Sequence, residues 1–133
     1  MRKSLLAIFC LMLTAMAGAQ ELKPLKIKTA TASSQNSTSE GAAKTIDGDY
    51  STFWHSVWNG GTTSFPVTFT ITMAEEEMVD VVRYVPRQDQ PNGNWGKVEV
   101  SYRNTETGTK YVSLGTFDLG QSSNAYEFEI GQQ

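Results

Sequence analysis

The side chains able to do chemistry in this sequence fall in three short stretches. The first, STFWHSVWNGG (residues 51–61), brings Trp54, Trp58, the chain's single histidine (His55) and paired glycines into one loop. An exposed indole offers a flat apolar face on which a sugar ring can stack. The same pattern suits an indole packed beneath a glycine loop. The second, KTIDGDYST (Lys44 to Thr52), sets two carboxylates around a glycine, with a threonine shortly after. Calcium takes about six to eight oxygens at roughly 2.4 Å from carboxylates, hydroxyls and carbonyls. A tight turn could supply them from Asp47, Asp49, Thr52 and the Lys44 carbonyl. A plain Asp-Gly turn, with each Asp bonding its own backbone, fits the spacing as well. The third, YVPRQDQPNG (Tyr84 to Gly93), puts Arg87 directly after a strand-ending proline, hence at the rim of a sheet, with Gln88, Asp89 and Asn92 following. Guanidinium and amide groups are natural partners of sugar hydroxyls. A surface loop with a salt bridge is the simpler reading of the same residues.

Other chemistries are excluded by what is missing. One histidine cannot build a multi-histidine metal site, and the sequence holds no zinc-protease helix, phosphate-cradling glycine loop or nucleophile elbow. Glu75, Glu76 and Glu77 are adjacent on a polar turn, a placement that does not set two carboxylates across a substrate. With 133 residues and no acid–base constellation, the chain reads as one binding domain and not as an enzyme.

The first nineteen residues stand apart. MRKSLLAIFCLMLTAMAGA has a basic start, an apolar stretch too short to span a membrane, and small residues at Ala17 and Ala19. This is the pattern of a secretory signal peptide, with cleavage expected near Ala19–Gln20, so the mature domain is expected to be secreted. Cys10 lies within that segment, leaving no cysteine from Gln20 onward and no disulfide. Loss of Arg2 and Lys3 moves the formal charge from -3 to -5, with nine basic residues against fourteen acidic. An acidic domain without a basic stripe is a poor partner for nucleic acid and for an anionic membrane surface.

The elements that must position the three stretches are strands. Residues 20–29 read as a short tether running into a strand start, with LKIKTATA as the first strand. VTFTITM alternates, with Val67, Phe69 and Ile71 on one face and threonines on the other. MVDVVRYVP, KVEVSYR, KYVSLGTF and AYEFEI follow, separated by turn clusters, while GAAKTIDGD suits a single helical turn. Short, regularly spaced strands of this kind predict an all-β, antiparallel sandwich or barrel. Function then belongs to its long loops, residues 33–65 and 86–96.

AAKTIDGDYSTFWHS followed by VVRYVPRQDQPNGNWGKVEV resembles the coagulation factor V/VIII type C, or discoidin, domain. The closer resemblance is to its sugar-binding branch, the family 32 carbohydrate-binding modules, and it covers residues 30 to 130. It implies a jelly-roll β-sandwich of the galactose-binding-domain-like type over 30–133. It implies a structural calcium site from the Lys44 carbonyl, Asp47, Asp49 and Thr52. It implies a galactose site from His55, Trp58, Arg87 and Asn92, with Asn94 as a substitute for Asn92. Trp54 would then face the core. Trp58 would stack on the sugar, while His55 and Arg87 reach the axial C4 hydroxyl that galactose has and glucose lacks.

The family usually continues past a segment like AYEFEI, with a further strand and a glutamate that completes the cation site. Against that pattern the sandwich is expected to lack its last one or two strands, exposing apolar core and a sheet edge. The reading as a whole is a secreted, non-catalytic module for glycans ending in galactose or N-acetylgalactosamine, carried by a larger parent protein. The alternative is a discoidin-type module that binds protein or phospholipid.

Overall fold

The computed structural model describes residues 21–131. The expected signal peptide and its cleavage position lie outside the described residues. Six strands are present among the described residues: β1 Ile27–Ala32, β2 Phe69–Met73, β3 Val81–Tyr84, β4 Lys97–Tyr102, β5 Val112–Asp118 and β6 Tyr126–Glu129. The one helical element among them is a 3-10 turn over Ala42–Ile46, just ahead of the acidic turn. Each strand lies inside a segment whose apolar and polar residues alternate. That alternation is what a strand with one buried face requires.

All pairings are antiparallel. β1 pairs with β2, with Ala30 opposite Ile71 and Ala32 opposite Phe69. β4 and β5 form a hairpin, with Val98 opposite Phe117 and a register irregularity at Val100/Ser101. β3 skips that hairpin to pair with β6, with Val82 opposite Phe128 and Tyr84 opposite Tyr126. The long segment 33–68 between β1 and β2 is thus anchored at both ends by one ladder.

Among the described residues the buried apolar ones are Ala30, Ala42, Leu119 and Phe128, and a half-buried aromatic cluster packs beside them. Tyr84 stacks on Trp95 at 4.3 Å between ring centroids and 8° between planes. Phe69 meets Trp95 and Trp54 edge-on at 5.9 and 5.2 Å. Edge-to-face pairs of this kind add to the area they bury, by about 1 kcal/mol each. Their polar atoms are satisfied as well. The Trp54 indole N–H donates to the Ser34 carbonyl at 3.0 Å, and the Trp95 backbone N–H donates to the Tyr84 hydroxyl at 3.2 Å. Burial holds the Tyr84 phenol above its ordinary pKa, partly offset by that hydrogen bond. A second cluster joins Phe117, Phe128 and Tyr126 across the other ladders. Elsewhere the apolar face is open. Ile71, which alternation puts on the same side as Phe69, is 41% exposed, and Val112 is 40% exposed.

Candidate functional site

The site is built where loop 33–41 is laced to loop 52–59. Neither loop is a strand, yet the backbones pair: Asn36 N–H donates to His55 O at 2.9 Å, and His55 N–H donates to Glu40 O at 3.1 Å. Side chains finish the lacing. Ser34 Oγ accepts from the Val57 N–H at 3.0 Å. Asn36 Oδ1 accepts from the Trp58 and Asn59 N–H groups at 3.4 and 3.2 Å. Trp54 anchors the same segment in the aromatic cluster from below, with its indole at 5.2 Å from Phe69. The residues after Trp54 are therefore fixed, although they lie in a loop.

Trp58 stands out of this frame, 60% exposed, with its ring 6.3 Å from that of His55. Its indole N–H donates to Glu40 Oε2 at 2.9 Å, and the Asn36 amide donates to the same oxygen at 2.8 Å. The edge of the ring is held and its face is left free, which is the geometry a stacking platform needs. His55 Nδ1 lies 2.7 Å from Ser56 O. A carbonyl can only accept, so Nδ1 carries the proton, and in the neutral ring Nε2 is an acceptor. Nε2 lies against Gly93, where a methyl group would come within 2.8 Å of it. Gly93 also has φ +83, so both its conformation and its contact call for glycine.

Arg87 enters from the rim of β3, beyond Pro86. Its guanidinium lies over the Phe53 ring at 4.2 Å. Its Nε and Nη2 donate to the two oxygens of Asp89 at 2.7 and 2.6 Å. Asp89 first, and Glu40 at longer range, hold the guanidinium charged, while the Asp89 carboxyl is pushed below its ordinary pKa chiefly by Arg87. Asn92 is exposed on the turn before Gly93. Asn94 is 5% exposed, and its amide donates to Ser122 O at 3.1 Å. It ties one loop to another, and the free amide of this stretch belongs to Asn92.

The acidic turn forms a second cluster beside the first. Thr52 Oγ1 lies 2.7 Å from Asp47 Oδ2, 3.0 Å from the Asp49 carbonyl and 3.3 Å from the Lys44 carbonyl. The Asp49 carboxylate turns back on Ser51, accepting from its N–H and hydroxyl at 2.8 and 2.7 Å. Hydrogen bonds lower both carboxyl pKa values, that from the Asp49 N–H leading at Asp47 and those from Ser51 at Asp49. The Lys44 and Asp49 carbonyls and one Asp47 oxygen thus meet at the Thr52 hydroxyl, while the Asp49 carboxylate faces Ser51. The local Asp turns expected from the sequence are present too.

Two residues of the site were not legible in the sequence as functional. Glu40 and Asn36 sit in a stretch that reads only as a polar loop. Their roles depend on the pairing with residues 55–59, which leaves no periodic signal. Phe53, under Arg87, had only its place beside Trp54 to suggest it.

A family model for the F5/8 type C domain matches residues 29–130. Among solved structures, CpGH89CBM32-5 from Clostridium perfringens, in complex with GalNAc-beta-1,3-galactose, superposes with a TM-score of 0.68. It is 24% identical, with 77% of this chain and 73% of that chain covered. The family 32 CBM of C. perfringens NanJ, in complex with galactose, also gives 0.68, at 23% identity over 76% of this chain and 70% of that one. At these identities the likeness is one of fold, and it makes the sandwich architecture plain. Among curated proteins, Antigenic protein P1 of Entamoeba histolytica is 36% identical over 63 residues. The match spans 47% of this chain and only 6% of that protein.

Proposed function

The chain belongs to the F5/8 type C domain family, a family of non-catalytic binding domains, and from that premise we propose that it binds glycans ending in galactose or N-acetylgalactosamine. The observation that carries the reading is the state of Trp58. A large indole is 60% exposed, yet its N–H is bonded to Glu40 and its backbone to Asn36. Leaving such a ring exposed forgoes roughly 2 kcal/mol of burial, and holding it at its edge presents it as a stacking platform. In this reading the apolar face of the sugar stacks on Trp58. His55 Nε2 accepts from a hydroxyl, and Arg87 donates from the nitrogen that Asp89 leaves free. Asn92 closes the site from the neighbouring turn. Two groups converging on one hydroxyl favour an axial C4 position over an equatorial one.

The two solved neighbours were determined with GalNAc-beta-1,3-galactose and with galactose, which supports the same sugar class. A single open site of this kind binds at about millimolar strength, roughly -4 kcal/mol. Useful avidity then comes from repetition or from a larger secreted parent protein. Calcium belongs to the same proposal. Lys44 O, Asp47, Asp49 and Thr52 would hold it and stiffen the turn that runs directly into Phe53, Trp54 and His55. Its role there is structural. Chelation is expected to lower the melting temperature, and added calcium to restore it.

Retention on immobilised galactose tests the reading. The chain is expected to be retarded and released by free galactose, and Trp58→Ala to run unretarded while still folded. Equal mobility of the two on that matrix would overturn it. The phospholipid alternative predicts sedimentation with anionic liposomes, which the carboxylates beside Arg87 oppose.

A further inference from the structure

We infer that Asp89 and Glu40 make this site a reader of uncharged saccharides that turns away carboxylated and sulfated ones. The inference rests on the carbohydrate reading above and adds to it a ligand class.

Donors and acceptors at the site are unequally spent. The Arg87 guanidinium is the cation of the site, and its side-on edge is already closed by the fork to Asp89, at 2.7 and 2.6 Å. The Phe53 ring covers one of its faces at 4.2 Å. The side chain as a whole is only 13% exposed, whereas Asp89 is 55% exposed. The indole N–H of Trp58 is taken by Glu40 Oε2, and the Nδ1 proton of His55 by the Ser56 carbonyl. What is left facing a ligand is rich in acceptors. Glu40 Oε1 has no protein donor among the described residues, and His55 Nε2 is an acceptor. Donors remain in the outer guanidinium hydrogens of Arg87, the second amide hydrogen of Asn36 and the Asn92 amide.

A sugar hydroxyl satisfies such a site, because it both donates and accepts. A carboxylate or sulfate only accepts, so it meets Glu40 with no proton between them. Charge points the same way. The two groups that act electrostatically on Arg87 are both carboxylates, Asp89 and Glu40. The single positive charge is therefore already matched, and an arriving anion finds a surplus of negative charge. An arginine meant to grip an oxyanion would keep its fork free for the ligand.

The test compares three ligands that share a ring: methyl β-galactoside, its 3-sulfate and the corresponding galacturonide, titrated calorimetrically at low and at high salt. The neutral sugar is expected to bind roughly tenfold or more tightly than either anion, with the gap narrowing as salt rises. Glu40→Gln and Asp89→Asn each remove a negative charge and keep the shape. Each is expected to narrow the ratio of neutral to anionic affinity severalfold, whatever it does to neutral binding alone. Near-UV circular dichroism confirms that each variant is folded, and the wild-type comparison stands without them. Equal binding of all three ligands, or a ratio that neither variant moves, would overturn the inference and leave the carbohydrate reading in place. Failure of all three to bind would overturn both.

Discussion

Trp54 and Trp58 lie one loop turn apart and do opposite work. Trp54 points down, edge-on to Phe69 at 5.2 Å and to Trp95 at 6.5 Å, with its N–H on a backbone carbonyl. Trp58 points out, 60% exposed, with its N–H on a carboxylate. Both rings are fixed, but only one contributes to the core. The contrast shows how a loop can carry a rigid binding surface. The lower indole joins the loop to the sandwich, and lacing to residues 34–40 transmits that order to the upper one. Stability and binding should therefore separate between neighbours in sequence.

The largest effect is expected from Trp54→Ala, which removes the lower ring. Loss of its packing and its hydrogen bond should cost about 3 kcal/mol, a large fraction of the stability of a small domain. Urea unfolding would read this as a lower midpoint, with sugar binding lost alongside. A midpoint unchanged from wild type would mean that the lower ring does not hold the loop to the sandwich. Next comes Trp58→Ala, expected to leave the urea midpoint within about 0.5 kcal/mol of wild type while weakening galactose about tenfold or more, equivalent to about 1.4 kcal/mol. A destabilisation as large as that of Trp54→Ala would mean that the upper ring is core after all.

Gly93→Ala sharpens the upper half. It strains a position at φ +83 and drives a methyl group to within 2.8 Å of His55 Nε2. A loss of stability of about 1 kcal/mol is expected, with a severalfold loss of galactose affinity as the imidazole is displaced. Unchanged affinity would remove His55 from the site. The smallest effect concerns pH. Asp47 and Asp49 have lowered pKa values in the folded chain through the hydrogen bonds they accept. A carboxylate of that kind adds stability that is full above the unfolded value, about 4, and lost as pH falls through the folded value. Both groups are exposed, so the change should be slight. Asp47→Asn should flatten the acid limb of the melting temperature against pH, and an identical limb would show that the turn contributes nothing there.

The strands were legible because each buries one face, so that Val67–Met73 and Tyr126–Ile130 alternate in the sequence. The single helical turn was legible locally, whereas the inward placement of Trp54 came only with the family resemblance. Asp89 as the partner of Arg87 could be suspected from proximity alone. The choice between Asn92 and Asn94 could not be made from spacing, because it depends on Ser122, which reaches Asn94 from a distant loop. Glu40 was hidden for the same reason. Its partners Trp58 and His55 meet it through pairing of two aperiodic loops, and such pairing leaves no pattern in the chain.

Tryptophan emission of the chain in calcium, titrated with galactose and, separately, with glucose, reads the inner and outer indoles at once. Trp54 and Trp95 report the folded core, and Trp58 reports the surface. A saturable change with galactose that is absent in Trp58→Ala is expected, with no comparable change with glucose. An identical response to both sugars, or a folded spectrum that responds to neither, would contradict galactose binding at Trp58.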